Sequence, residues 1–414
     1  METMIKLSNN NPTKIKNIKE KQLIGFEIDP VLFSLACSNM FLHGDGRTNM
    51  LFGSSLLANS PHELKLKNKI KDFKPTKIII NPPYESNKPI KFVESAIDYL
   101  EPNGKLIIIM PNPTLTKNTK NNTDISITHR ILKKAKLDFV IKMPENLFKE
   151  QERIVYTSIF GFTKTPHEKN DEVLFCELSD DGLVSKQHKG RIDKYGIWQD
   201  KENFIVNAIH NQKEIEGFSE KREIFVNDNL IPYGLNNNQR NASKNLVKFS
   251  DVFDTSTKGE LQSEDCNSDG EYTFITAAAE WKKHDSFQMD CEAIVYALRS
   301  QGSLGRSHYY NGKFVASNLC QILTPANMEK YPVDLEFYSY YLMSIRKQIV
   351  SDLADGTSKL SIKADPDLNN YLIEYFPLEK QIEYKEEIKK RIAEINRIKV
   401  ELKQQEDNLY NIIQ

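Results

Sequence analysis

Short apolar runs rich in β-branched residues alternate with helix-period segments through the first half of the chain. The runs that predict strands are Leu23 to Ile28, Lys77 to Ile80, Lys105 to Met110, Leu137 to Lys142 and Ile154 to Phe162. Between them, Pro89 to Leu100 and Ile127 to Ala135 have the apolar spacing of helices. Because strands that alternate with helices favour a parallel sheet covered by helices, we predict an α/β fold here.

Composition excludes several classes of protein. The 56 basic and 57 acidic side chains of the 414-residue chain leave a net charge of -1, so any affinity for nucleic acid must come from local patches. The five cysteines show no Cys-x-x-Cys pair, which argues against a disulfide framework or a zinc site and fits the cytoplasm. Apolar runs such as Leu106 to Met110 are far shorter than the roughly 20 residues of a membrane span, and no leader opens the sequence.

The segment TKIIINPPY runs a strand directly into Asn81, Pro82, Pro83 and Tyr84. Proline fixes φ and donates no backbone hydrogen bond, so the corner after the strand is stiff. At the carboxyl end of a parallel strand it would present the Asn81 side-chain carbonyl and the Pro82 backbone carbonyl to one crevice. Two fixed acceptors suit the exocyclic amino group of adenine, and Tyr84 would stack on a base flipped out of the duplex. The plainer interpretation is that the prolines only end the strand.

A second candidate site lies in GFEIDP, where Glu27 falls at the end of a predicted strand. A carboxylate at that place can accept hydrogen bonds from both ribose hydroxyls of a nucleoside cofactor. Taken alone, such an acid is as often a solvated strand end as a ligand.

These segments occur in a familiar order: GFEIDP, LACSNMFLHG, LFGSSLL, IIINPPY, LEPNGKLIIIMP and RILKKAKLDFVIKMPENLF. The order resembles the modification subunit of type I restriction-modification systems, an N6-adenine DNA methyltransferase, from about residue 23 to 210. The resemblance implies a partial Rossmann-like domain that uses S-adenosylmethionine, with Asn81 to Tyr84 as catalytic motif, Glu27 on the cofactor ribose and Phe148 against the flipped base. Where the family has a cofactor-binding aspartate, this chain has Ser54, whose uncharged hydroxyl implies weaker cofactor binding.

The front of such a domain is missing from the sequence. A methyltransferase of this kind cradles its cofactor on a glycine-rich turn about 20 residues before the ribose acid. Gly25 is the first glycine, and residues 1–22 offer neither a strand nor such a turn. We therefore expect an exposed apolar sheet edge, half a cofactor pocket and no methyl transfer by this chain alone, unless a companion polypeptide supplies the front.

Strands and turns dominate residues 246–376, which predicts a separate β-rich domain. Its candidates for DNA contact are cationic and aromatic side chains: Trp281, Lys282, Lys283, Arg299, Arg306, Tyr309 and Lys313. Arginine and lysine can bind phosphates or guanine edges, and aromatic rings supply rigid contact area. The alternative is an ordinary glycine turn in a β domain.

The last segment, Leu378 to Gln414, lacks glycine and proline and repeats apolar residues at every seventh position, at Ile388, Ile395, Leu402 and Leu409. The pattern predicts a long helix that pairs with a partner helix. The alternative is a solvated amphipathic helix that packs on its own domain.

The second half has a resemblance of its own, carried by FSDVFD, EYTFITAAAEW, IVYALRSQGSLGR, GKFVASNLCQIL, LADGTSKLSI and LIEYFPLEKQIEYKEEIKKRI. This order is similar to one target-recognition domain and the spacer helix of a type I specificity subunit. It implies either a dimer through residues 378–414 that reads a two-part site in double-stranded DNA, or a single recognition domain that reads one half-site. A restriction subunit is a further candidate partner. The predicted segments are a truncated methyltransferase domain (1–165), a connecting region (166–245), a target-recognition domain (246–376) and the coiled-coil helix (377–414).

Two functions remain open at this point. The first is a site-specific adenine DNA methyltransferase of a type I-like restriction-modification system that needs a companion chain. The second is a catalytically inactive DNA-binding specificity protein that recruits or competes with an intact methylase. A third class, methylation of a protein glutamine by a similar loop, would need neither a recognition domain nor a spacer helix.

Overall fold

The computed structural model describes residues 1–44, 49–56, 61–84, 88–115, 123–144, 147, 155–186, 190–226, 229–230, 245–300, 302–354 and 360–411. The helices are α1 (Glu2–Leu7), α2 (Pro12–Lys21), α3 (Pro30–Leu42), α4 (Pro61–Phe73), α5 (Lys88–Tyr99), α6 (Thr123–Leu132), α7 (Trp198–His210), α8 (Phe249–Val252), α9 (Leu335–Ser344), α10 (Arg346–Leu353) and α11 (Leu378–Asn411). The strands of the first half are β1 (Gly25–Glu27), β2 (Met50–Phe52), β3 (Lys77–Ile80), β4 (Lys105–Pro111), β5 (Lys136–Lys142), β6 (Thr157–Thr163), β7 (Glu172–Glu177), β8 (Val184–Lys186), β9 (Gly190–Ile192), β10 (Ser219–Glu223), β11 (Phe225–Val226) and β12 (Asn229–Leu230). The remaining strands are β13 (Leu246–Lys248), β14 (Phe253–Lys258), β15 (Tyr272–Ile275), β16 (Lys282–His284), β17 (Met289–Ala297), β18 (Ser307–Ala316), β19 (Cys320–Pro325) and β20 (Leu372–Glu374).

A six-stranded sheet of order β10-β7-β5-β6-β4-β3 organises the first half of the chain. Strands β3 and β4 are parallel, with Ile80 opposite Ile108, whereas β6 is antiparallel to both β4 and β5. The sheet is therefore mixed, and the prediction of a parallel sheet was wrong for these strands. Parallel neighbours need a crossover connection, usually a helix, and the part of the chain described between β5 and β6 contains no helix.

The mixture of helices and strands confirms the predicted α/β content. All five predicted strands are present with small shifts at their ends, although Ile154 lies outside the described residues. The sheet also continues into the predicted connecting region, 166–245, because β7 pairs with β5 and β10 pairs with β7. A limit at residue 165 thus divides strands that share one sheet, and the other segment limits stay predictions.

The core of this sheet lies on the face covered by α5 and α6. Alternate residues of β4, Leu106, Ile108 and Met110, are fully buried against that face, as the period of a strand requires. On the opposite face α7 packs beside β5 and β7, and Ile79 of the edge strand β3 remains 81% exposed. Helices α5 and α6 thus cover one face of the sheet, whereas the other face is exposed at β3.

Strands β1 and β2 form a separate two-stranded parallel sheet. Helix α3 follows β1 and begins at Asp29, whose Oδ1 accepts hydrogen bonds from the N–H groups of Val31 (2.8 Å) and Leu32 (2.9 Å). The sequence of this helix, PVLFSLACSNMFL, is largely apolar, yet none of its residues is buried. A helix that is apolar all round normally lies inside a protein, so α3 lacks the neighbours that its sequence requires.

A second six-stranded sheet, of order β14-β19-β17-β18-β15-β16, organises residues 253–325. Its aromatic core includes Phe253, whose ring lies 4.8 Å from Phe249 and 5.4 Å from Tyr338. Helices α9 and α10 belong to the same core cluster. This domain buries its apolar face within the chain.

Helix α11 confirms the long helix predicted from residue 378. Its first turns are fixed by the buried Gln381, which accepts the Asp334 N–H at 2.7 Å and donates to the Pro332 and Phe376 carbonyls. Farther along, Ile395 and Leu402 are exposed, whereas the side chain of Leu409 and residue Gln414 lie outside the described residues. Pairing through this seam stays a prediction. None of the helices described here has the length and apolar character to cross a membrane.

Candidate active site and DNA-recognition surface

The Asn-Pro-Pro-Tyr loop leaves β3 at its carboxyl end. Asn81 and Pro83 are exposed, Pro82 is buried and Tyr84 is half-buried. The Tyr84 hydroxyl donates to Asn81 Oδ1 at 2.8 Å. Burial raises the pKa of Tyr84 to about 12, so near neutral pH this hydroxyl stays a donor. The amide oxygen predicted to receive an adenine amino group is therefore occupied by a neighbouring side chain.

The two predicted cofactor residues lie together at the ends of β1 and β2. The Gly53 N–H donates to the Glu27 carbonyl at 2.9 Å, which joins the two strand ends. Glu27 Oε1 accepts the Asp29 N–H at 2.8 Å, and Ser54 Oγ accepts the Leu56 N–H at 3.1 Å. Both side chains thus help to shape their own loops. Phe148, predicted to hold the flipped base, lies outside the described residues.

The loop at Asn81 and the pair at Glu27 belong to different sheets. Among the described strands, β3 is hydrogen-bonded only to β4, and β1 only to β2. A contact between the two units is the hydrogen bond from Ser95 Oγ of α5 to the Ser55 carbonyl, at 3.4 Å. Strands β1 and β3 each present an edge without a partner among the described strands, and the apolar side chains of Ile28, just after β1, and Ile79 of β3 are exposed.

The β-rich second half is anchored to the first sheet at the end of β4, the strand next to the loop, by an amide hydrogen bond that we call the anchor. Asn112 follows β4, and its Nδ2 donates to the Ser351 carbonyl of α10 at 2.8 Å and to Ser351 Oγ at 3.1 Å. Ser158 of β6 donates to Asn112 Oδ1 at 2.8 Å, and all three residues are buried. Since Ile108 of β4 lies opposite Ile80 of β3, the anchor and Asn81 share the carboxyl edge of one sheet.

Asp352, beside this anchor, is buried to 1% exposure. It accepts a hydrogen bond from the Tyr371 hydroxyl at 2.8 Å. Burial raises the pKa of Asp352 to about 6, while the nearby Lys142 and the Tyr371 bond oppose the shift. The junction therefore contains a carboxylate whose charge opposes folding near neutral pH.

The predicted DNA contacts separate into groups. Trp281 Nε1 donates to His308 Nδ1 at 3.2 Å, and the Trp281 ring lies 5.7 Å from the Tyr310 ring. Burial, followed by the charge of Arg306, lowers the pKa of His308 to about 4, so its ring is neutral and can accept this bond. His308 was not predicted from the sequence, because a lone histidine carries no spacing signal.

The other predicted residues have separate surroundings. Lys282 and Lys283 lie exposed on the edge strand β16, and Lys313 Nζ lies 4.9 Å above the Phe287 ring. Tyr309 donates to Glu292 Oε1 at 2.9 Å and packs against the aromatic core.

The two predicted arginines differ in their surroundings. Arg306 carries a buried Nε that has no hydrogen-bond partner within the described residues. Arg299 is exposed and lines a cavity together with Lys258 and Lys363, neither of which was predicted.

Comparison with known families agrees with this division of the chain. Residues 54–244 match the family model N-6 DNA Methylase, and residues 242–409 match the Type I restriction modification DNA specificity domain. The chain thus has a first region similar to N-6 DNA methylases, called the methylase region below, and a second region similar to type I specificity domains, called the specificity region. The predicted family resemblances of the two halves are thus confirmed.

Individual relatives cover parts of these regions. The type II restriction enzyme and methyltransferase RM.BcgI of Heyndrickxia coagulans is 30% identical over 190 residues, which are 44% of this chain and 28% of that protein. The chain therefore spans less than a third of this curated relative.

Solved structures give more distant matches. The EcoKI M protein is 20% identical with a TM-score of 0.37, over 49% of this chain and 44% of that one. The type I S subunit of M. genitalium is 22% identical with a TM-score of 0.31, over 38% of this chain and 44% of that one. The type IIG restriction endonuclease BpuSI is 12% identical with a TM-score of 0.39, over 89% of this chain and 55% of that one.

Proposed function

We propose that the chain acts in site-specific adenine methylation of double-stranded DNA, with the methylase region as catalyst and the specificity region as reader. The observation that carries this proposal is the shared edge. The Asn81 loop leaves β3 where the specificity region is anchored, through Asn112, to the end of β4. DNA bound by the reader would thus lie beside a loop suited to a flipped base.

The chemistry assigned to the loop follows from its acceptors. Asn81 Oδ1 and the Pro82 carbonyl would accept the two hydrogens of the adenine N6 amino group, which concentrates the nitrogen lone pair as charge develops. Tyr84 must release Asn81 Oδ1 first, after which its ring can stack on the base. A bound sulfonium donor would supply the methyl group to N6 with its thioether as the leaving group, and N6 would lose a proton to solvent.

S-adenosylmethionine, the expected methyl donor, fits only part of this site. Glu27 would hold the ribose hydroxyls, and Ser54, on the adjoining loop, would receive the adenine amino group. Within the described residues the sheet around the site is incomplete, because β1 is hydrogen-bonded only to β2 and β3 only to β4 among the described strands. We infer that a parallel strand with a glycine-rich turn, from a polypeptide segment outside residues 1–414, completes both the sheet and the cofactor site.

The exposed apolar surface supports this inference. Leu42 is 81% exposed, and Val31, Leu35 and Phe41 of α3 are exposed as well. Each large apolar side chain gains about 1.5–3 kcal/mol on full burial. A companion segment that covered α3 and paired with β3 would satisfy both the apolar surface and the unpaired strand edges.

A methyl-transfer assay with labelled S-adenosylmethionine tests the proposal. Residues 1–414 alone should give no incorporation into DNA, and co-expression with a fragment that carries a glycine-rich loop should restore it. Asn81→Ala should then lower the rate by at least about a hundredfold, comparable to the loss of an oxyanion-hole donor. Asn211→Ala, at an exposed asparagine after α7, is the matched control.

Two outcomes would contradict parts of the proposal. Incorporation by the purified chain alone would remove the need for a companion segment. Full activity of the complex with Asn81→Ala would show that the Asn81 side chain takes no part in methyl transfer.

The second candidate function is a DNA-binding specificity protein without methyl transfer. The incomplete sheet around the cofactor site within the described residues and the uncharged Ser54 favour it. It predicts sequence-specific DNA binding by residues 1–414 and no methyl transfer with any companion fragment.

Self-association through α11 is part of either function. Ile388 and Ile392 line an apolar groove between α11 and α9, and Ile395 and Leu402 extend the seam into solvent. We propose that a second copy of α11 pairs with this seam. Ile395→Asp with Leu402→Asp should reduce the sedimentation mass from two chains to one, whereas the exposed Lys403→Glu should leave it unchanged. A parent that sediments as one chain would contradict the pairing.

A further inference from the structure

A cavity of 510 Å³ opens in the specificity region. Its described lining does not include Trp281, His308 or Tyr310. Its walls come from the end of β17, the turn between β18 and β19, and residues 361–366. Its volume lies within the roughly 300–1,000 Å³ of ordinary ligand sites. The cavity is therefore large enough for a nucleotide-sized group.

Cations dominate the charge of this cavity. Lys258, Arg299 and Lys363 line it, and Asp365 is the carboxylate among the described lining residues. Within the described part of the chain, none of the three cations forms an ion pair with a carboxylate at contact distance. Three like charges around one cavity repel each other, and an anion between them would relieve that repulsion.

The neutral lining narrows the choice of anion. Asn318 lines the cavity and can donate from its side-chain amide to an anionic oxygen. Gln321 also lines it, but its Nε2 already donates to the Thr255 and Thr257 carbonyls and so braces the wall. No aromatic ring is among the described residues that line the cavity, so a nucleobase would find no stacking partner. The cavity thus suits a sugar-phosphate group better than a free nucleotide.

We propose that this cavity binds a backbone phosphodiester of the DNA that the specificity region reads. The proposal rests on the proposed DNA-reading function and adds to it a phosphate contact that fixes the register of the protein on the duplex. Because the whole chain carries a net charge of -1, local groups of cations must supply the attraction for DNA.

The first test is the salt dependence of DNA binding by the full chain. Fluorescence anisotropy with a mixed-sequence duplex of about 30 base pairs, at about 50–200 mM KCl, gives the slope of log affinity against log salt. Lys258→Gln, Arg299→Gln and Lys363→Gln should each reduce the magnitude of that slope by up to about 0.9, equally for all sequences. Lys390→Gln, at an exposed lysine of α11, is the control and should leave the slope unchanged.

The second test does not depend on duplex recognition. Phosphorus NMR of the dinucleotide thymidylyl-thymidine should show broadening or a shift with the parent chain, and none with the triple Gln variant. Unchanged slopes in all three single variants, or equal dinucleotide signals for parent and triple variant, would overturn the proposal. Binding of inorganic phosphate without the dinucleotide would also overturn it, since the cavity would then be a small-anion site.

The two tests separate this proposal from the proposed function. In one outcome, the parent chain binds the dinucleotide through these cations and shows no sequence preference for any duplex. That result would support the phosphodiester site and refute sequence-specific reading by the specificity region. A parent that binds DNA specifically, with a salt slope that does not depend on Lys258, Arg299 and Lys363, would support sequence-specific reading and refute the phosphodiester site. Thermal melting of each variant checks the fold, and substitution at these exposed positions should leave the melting temperature close to that of the parent.

Discussion

Helix α3 and the aromatic core of the specificity region are both rich in apolar side chains but have opposite surroundings. In the specificity region Phe249, Phe253 and Tyr338 are almost completely buried. In α3 no residue is buried, and Phe41 is 68% exposed. The specificity region therefore buries its apolar side chains within the chain, whereas the β1–β2 unit leaves those of α3 exposed.

The comparison shows how a sequence can encode a surface for a partner. The apolar content of α3 is typical of a core helix, and a monomer rarely leaves such a patch in water. Strands β1, next to α3 in the sequence, and β3 each have an edge without a hydrogen-bonded partner among the described strands. Apolar side chains and unpaired backbone groups are thus exposed together, as expected where another strand belongs.

The largest expected effect comes from a matched pair of phenylalanines. Phe253→Ala should lower the free energy of unfolding of the specificity region by about 3–5 kcal/mol, because it leaves a cavity between Phe249 and Tyr338. Phe41→Ala on α3 should change it by no more than about 0.5 kcal/mol, because that ring is largely in water. Urea unfolding followed by tryptophan fluorescence and circular dichroism measures both. Equal losses at the two positions would mean that α3 already has its neighbours.

The next effect concerns the junction between the two regions. The folded pKa of Asp352 is raised from 3.8 to about 6, so the folded chain holds a proton that the unfolded chain has lost between those values. Stability therefore falls as pH rises through this window, by about 3 kcal/mol in total, and is regained as pH falls. Asp352→Asn cannot lose that proton and keeps an acceptor for Tyr371.

Thermal melting across the pH range checks this effect. The melting temperature of the Asp352→Asn variant should exceed that of the parent above about pH 6 and approach it near about pH 4. A difference that does not change with pH would show that the Asp352 carboxyl has an ordinary pKa.

A smaller effect is expected at the anchor itself. Asn112→Ala removes the bonds to Ser351 and leaves buried polar groups of Ser351 and Ser158 without that partner, at a cost of about 1–3 kcal/mol. The loss should also loosen the two regions, so limited proteolysis should cut between them faster. Asn211→Ala serves as the control. Unchanged proteolysis would show that other contacts hold the regions together.

The smallest effect is expected in the Asn81 loop. Tyr84→Phe keeps the ring and removes the hydrogen bond to Asn81, which is half-exposed and contributes no more than about 1 kcal/mol. The active complex should bind substrate DNA at least as tightly, because the Asn81 oxygen no longer has to be released. A large loss of methyl transfer would instead assign the hydroxyl a role in the reaction.

Local structure was predicted well from the sequence. The bounds of β3, the stiff corner at Pro82 and the long helix from Leu378 follow from β-branched runs, proline geometry and apolar spacing, which act over a few residues. The exposed edge beside the Asn81 loop was also expected, from the absence of a glycine-rich turn before Glu27.

Non-local arrangements could not be predicted in the same way. The antiparallel insertion of β6 depends on strand pairing, and the bond between Asn112 and Ser351 joins residues 239 positions apart. Neighbouring residues of a strand point to opposite faces, so either Tyr309 or Tyr310, but not both, could join Trp281. The structure places Tyr310 there, and no periodicity could have chosen it. The grouping of Lys258, Arg299 and Lys363 arises in the same way from three distant segments.

The anchor of α10 on the end of β4 has a consequence for the evolution of specificity under the proposed function. A rigid attachment beside the Asn81 loop fixes the offset, counted in base pairs, between the bases that are read and the base that is modified. The loops of the second six-stranded sheet could be exchanged while Asn112, Ser158 and Ser351 are retained. The exchange would change the DNA sequence that is read and preserve its distance to the methylated base. The buried side-chain amide of Asn112 would then set this distance, and new recognition sequences could arise while the methylase region stays unchanged.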